Sequence, residues 1–69
     1  MKKQELIEFF RESRKFIKLT YFADKNNICR TNLYETINTN DRKLNEHRLQ
    51  ELKDSMLQEM QDFIDKYKE

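Results

Sequence analysis

Sixty-nine residues make one domain at most, and a domain this small leaves much of its surface in water, which favours a binding module over an enzyme with a deep pocket. Glycine and proline are both absent and charged residues reach 39%; primed hairpin turns are then difficult and nothing forces a helix to stop, so an all-α fold is expected. The single cysteine, Cys29, excludes an internal disulfide and a thiolate zinc cluster, and the net charge of +1 by itself argues against nucleic acid.

No apolar run approaches the ~20 residues of a membrane span, and the N-terminus carries no signal-peptide core, so a cytoplasmic chain is expected. The distribution of charge says more than its sum. Residues 1–45 hold ten bases and six acids, a net +4, whereas residues 46–69 hold four bases and seven acids, a net −3. A basic front and an acidic tail suit a protein that meets phosphate with one end.

The first helix is read from about Lys3 to Arg14 or beyond, with Leu6, Phe10 and Ile17 on one face, Phe9 and Phe16 beside them, and Ser13 filling a small gap. The aromatic residues Phe9, Phe10, Phe16, Tyr21 and Phe22 are assigned to the core rather than to a stacking platform, because their spacing is helical. A second helix is read over roughly Leu19 to Lys25, with Ala23 where another helix must approach closely. Asn26-Asn27 then turns the chain, since asparagine is the non-glycine residue that best tolerates a left-handed backbone.

A third helix is read from about Arg30 to Asn38. Ile28 packs at its entrance and Leu33 and Ile37 share its inner face, leaving Arg30, Thr31, Asn32, Glu35 and Asn38 outward. Asn38, Asn40 and Asp41 make a turn-prone loop that ends in Arg42 and Lys43. Asn45 is the expected N-cap of the fourth helix, with Glu46 near its positive end. Leu49, Leu52, Met56, Met60, Phe63 and Tyr67 follow at a mean step of ~3.6, the period of a straight helix rather than a heptad seam. About 22 residues span ~33 Å, against ~28 Å for the diameter of a compact globule of this size. Its last apolar residues must therefore meet the N-terminal helix or a second protein.

The spacing of residues 22–37, FADKNNICRTNLYETI, reads as a short helix, a tight turn and a second short helix with a polar outer face. In this they resemble the helix-turn-helix of small phage and mobile-element regulators of the Cro/repressor type. Phe22-Ala23, Asn27-Ile28, Cys29, Arg30-Thr31-Asn32, Leu33 and Ile37 fill the places of that pattern. Leu44-Asn45, Leu49 and Leu52 resemble the lead into the family's fourth helix, and the likeness runs from about Ile17 to Met56. Three positions depart from it: Asn27 replaces the turn glycine, Asn26 is polar where an apolar residue is usual, and Cys29 replaces the serine that caps the recognition helix, with an expected loss of capping.

The resemblance implies sequence-specific binding of double-stranded DNA by a transcriptional regulator, with residues 30–38 in the major groove. Arg30 is then expected on guanine O6/N7 and Asn32 on adenine N6/N7. Thr31 serves a phosphate or a thymine methyl, and Glu35 accepts from cytosine N4 or orients Arg30. Lys18, Thr20, Asn38, Arg42 and Lys43 are expected on phosphates, while Tyr34 either brings its hydroxyl to phosphate or packs half-buried. A homodimer on a palindromic site is expected, with Met60, Phe63, Ile64 and Tyr67 as its interface. His47 is read as a surface residue, the Met56/Met60 stripe as core, and Cys29 lacks a neighbouring base; neither a metal, a cofactor nor an enzymatic activity is called for. The rival reading is a small helical protein-binding module, such as a phage-encoded inhibitor of a host protein, acting through the acidic C-terminal helix.

Overall fold

Four helices, α1 (Lys3–Ser13), α2 (Leu19–Lys25), α3 (Arg30–Thr39) and α4 (Glu46–Tyr67), build the computed structural model, which describes residues 2–39 and 42–68 and contains no strand among them. The all-α expectation holds, and the bounds of α2 match the sequence reading. Asn40 and Asp41, read as part of the loop after α3, lie outside the described residues.

α1 opens with the Lys2 amide donating to Glu5 Oε1 at 3.0 Å, a carboxylate placed where the helix dipole favours it. It lays Leu6, Ile7, Phe10 and Ser13 inward; Ile7 was not foreseen. The helix stops at Ser13, whose carbonyl accepts from the Ile17 amide at 2.8 Å. Ile17 therefore sits half-buried in the α1–α2 connection rather than on the α1 face, and Phe16 swings outward to 75% exposure. Tyr21 is 50% exposed as well. The assignment of all five early aromatic residues to the core is corrected on these two: helical spacing places a residue on a face only while the helix lasts.

The turn between α2 and α3 is a Schellman motif without glycine. Asn27 takes φ 57°, which lets the Ile28 amide reach back to the Ala23 carbonyl at 2.8 Å and the Asn27 amide to Asp24 at 3.2 Å. Ala23 and Ile28 are both buried in the same core cluster, at the two positions where an apolar contact accompanies this cap. Asn26, the polar residue at a usually apolar place, is satisfied: its Nδ2 donates to the Phe22 carbonyl at 2.8 Å and to Ser55 Oγ at 3.2 Å. From α4, Arg48 Nη2 reaches the Asn26 and Asn27 carbonyls at 3.1 and 3.4 Å, fastening the turn to the scaffold.

α4 begins with Asn45 Oδ1 accepting from the Arg48 amide at 2.9 Å, as expected of an N-cap. Leu49, Leu52 and Met56 join Leu33, Ile37 and the α1 and α2 residues in one core cluster; α1 lies against α3 and α4, and α2 against the same two. Beyond Met56 every described residue except Glu59 is exposed. The Met stripe therefore divides, with Met56 at 0% and Met60 at 36% exposure. The principal extents of 42 × 22 × 21 Å record a helix that outreaches its own domain, further than the compact estimate anticipated.

Candidate nucleic-acid interface

α3 is mounted from behind. Ile28, Leu33 and Ile37 are buried at 4%, 0% and 0% exposure, which sets the rotation of the helix and turns Arg30, Thr31 and Asn38 to solvent, with Asn32, Tyr34 and Glu35 at the half-buried edge. Thr36, not foreseen as core, is fully buried because its hydroxyl donates to the Asn32 carbonyl at 2.8 Å, an internal bond that removes the cost of burying it.

The outward face borders an open groove of about 480 Å³ lined by Thr20 of α2 and by Arg30, Thr31, Tyr34, Glu35, Asn38 and Thr39 of α3. Six of the ten residues expected on DNA thus line one depression. Lys18 stands exposed at the N-cap of α2, two residues before Thr20. Asn32 lies outside the groove lining, half-buried one turn before Thr36. Arg42 and Lys43 are exposed in the turn before α4. Tyr34 packs against the core cluster and lines the groove, so both roles read for it are compatible with its position.

The α3 termini are held by side chains the sequence did not single out. At the far end, Arg11 Nε of α1 donates to the Ile37 carbonyl at 2.8 Å, and Arg14 donates to Asn38 Oδ1. Arg11 of α1 and Arg14 just beyond its end thereby sit at the negative end of the α3 dipole, and the Asn38 side-chain oxygen already has a donor. At the near end, Arg30 Nε donates to Asp24 Oδ1 at 2.9 Å and its Nη2 to Asp24 Oδ2. The Arg30 hydrogen bond holds the Asp24 carboxyl below its usual range, and Asp24 in turn raises Arg30. Asp24, rather than Glu35, is the residue that orients Arg30. Both side chains are more than half exposed, so the pair is worth little to stability and is open to exchange for another acceptor.

Cys29 occupies the N-cap of α3, its carbonyl accepting from the Leu33 amide at 3.0 Å. The nearby Asn32 and Thr31 backbone amides hold its thiol below its ordinary value. His47 is a surface residue, its Nε2 2.7 Å from Glu51 Oε1. Among the described residues no three potential metal ligands cluster, and no helix is long and apolar enough to cross a membrane.

No protein-family model, characterised protein or solved structure matches the chain. The functional reading therefore rests on the geometry of this molecule alone.

Proposed function

We propose that the chain binds double-stranded DNA as a helix-turn-helix module, with α3 entering the major groove and acting as a regulator of the phage or mobile-element kind. The observation that carries the reading is the gathering of Thr20, Arg30, Thr31, Tyr34, Glu35 and Asn38 around one outward depression on a helix fixed rigidly from behind. A helix with a buried inner face and long polar side chains outside is the geometry that carries donors and acceptors to base edges. In this reading Arg30 leaves or shares its Asp24 contact for guanine, Asn32 and Thr31 address the neighbouring base pairs, and Glu35 selects cytosine. Lys18 and Thr20 at the start of α2, with Arg42 and Lys43 before α4, meet the phosphates on either side and set the register.

The test is binding to duplex DNA across a salt series. Three cations on phosphate, Lys18, Arg42 and Lys43, predict a logarithmic slope of about −2.7 per copy. Affinity that is absent at ~50 mM salt, where such contacts are strongest, would contradict the reading.

A second reading has one observation of its own. Phe63, Ile64 and Tyr67 are 65%, 54% and 63% exposed on the acidic overhang of α4, a surface suited to a protein partner. Under that reading α3 is scaffold, and duplex DNA leaves the salt series flat.

A further inference from the structure

Asp24 and Arg30 bracket the α2–α3 turn, the one in the last turn of α2 and the other at the first position of α3. Their backbones are fixed relative to each other. The Asp24 carbonyl accepts from the Asn27 amide at 3.2 Å, and Arg48 of α4 holds the Asn26 and Asn27 carbonyls. The contact between the two side chains therefore spans anchored ends.

That contact is side-on. Arg30 donates from Nε at 2.9 Å, and from Nη2, to the two oxygens of one carboxylate. A guanidinium carries five N–H donors in a rigid planar fork. The side-on pair uses two of them and leaves both of Nη1 and the second of Nη2. One donor on each of these nitrogens lies at the end of the fork, so a second bidentate acceptor can bind there without displacing Asp24. Arg30 lines the outward groove and Asp24 does not, and 60% of the Arg30 side chain is exposed. The carboxylate thus holds the guanidinium by one edge and leaves its end donors for a ligand.

We propose that Asp24 is the positioning residue that makes Arg30 selective for guanine: Asp24 stays on Nε and Nη2 in the DNA complex, and the Nη1 and Nη2 end pair meets guanine O6 and N7. The inference rests on the DNA reading of α3 given above and names the residue that enforces its guanine. Selectivity follows from the fixed plane. A guanidinium pinned along one edge does not turn to follow whichever acceptor is near, so the acceptor must match it. In the major groove guanine alone presents two acceptors on one base. Adenine sets a donor beside N7, thymine offers one acceptor and a methyl group, and cytosine offers a donor. An unpinned Arg30 has phosphate oxygens as its alternative, and these are the same in every sequence. Asp24 is also an acid beside a phosphate-binding surface, so its charge lowers affinity for DNA of any sequence. One residue therefore lowers general affinity and raises discrimination, a signature that a purely structural role lacks.

The experiment starts from duplexes that the full chain selects out of a pool randomised over ~20 base pairs, about two helical turns. Competition binding with single-base variants follows at fixed salt. The wild-type chain is expected to show one guanine whose replacement weakens binding about 5- to 150-fold. Asp24→Asn, which swaps one acceptor for an amide N–H2 that opposes the guanidinium, should cut that factor by about fivefold or more. The same substitution should tighten binding to duplex of random sequence. Asp24→Glu keeps the carboxylate and should retain part of the preference. In the Arg30→Ala background, Asp24→Asn should change base preference no further, because the two residues act as a unit. Preference at other positions and thermal unfolding should stay as in the wild type, since the pair is exposed. A guanine preference that survives Asp24→Asn but is lost in Arg30→Ala would overturn the proposal and leave the DNA reading of α3 intact. A wild-type chain that selects no duplex, or a preference indifferent to Arg30→Ala, would overturn the reading of α3 itself and this proposal with it.

Discussion

Arg30 joins a contact seen in the fold, its pairing with Asp24, to the base-reading role proposed for it. Its guanidinium is presented at the first position of α3 by Asp24, six residues earlier on α2, a geometry that pre-orders a long side chain before any base arrives. The pair is exposed and exchangeable, so Arg30→Ala should leave thermal unfolding almost unchanged. It should weaken binding to a preferred duplex by about 5- to 150-fold and relax preference at one base position, as read by competition binding with single-base variants. If Arg30→Ala leaves preference intact while Arg42→Ala and Lys43→Ala abolish binding, α3 is not the reading helix. The partnership with Asp24 was hidden in the sequence, since it depends on how the α2–α3 turn closes.

At the scale of elements, much was legible. The buried anchors Ile28, Leu33 and Ile37, the small Ala23 and the Asn45 cap all follow from helical period and capping chemistry, because each is settled by neighbours within a turn or two. The asparagine turn was legible for the same reason. Asn27 at φ 57° makes a sharp prediction: Asn27→Ala should destabilise the fold by about 1 kcal/mol, and Asn27→Gly should not, in urea unfolding. Equal losses for both would mean that the side chain, and not the backbone, holds the turn. What failed lay where helices end. The stop of α1 at Ser13, and with it the exposure of Phe16, depends on the Ile17 amide turning back to Ser13, for which a chain without glycine or proline gives little local signal. Long-range fastenings were likewise invisible: Arg48 on the turn carbonyls, Arg11 on the end of α3, and Lys25 with Tyr21 on Glu59 each join residues more than twenty positions apart.

At the scale of the whole molecule, the fold separates two surfaces. The polar face of α3 and the start of α2 carry the donors, acceptors and cations that suit DNA, while the overhang of α4 and the Phe16 connection carry exposed apolar surface. The near-zero net charge obscures this division, because the basic front and acidic tail cancel in the sum. The most direct measurement is an amide NMR titration of the chain with duplex DNA at low salt. The account predicts shifts concentrated in residues 18–20 and 30–38, diminishing as salt is added; no shifts, or shifts confined to residues 57–67, would contradict it.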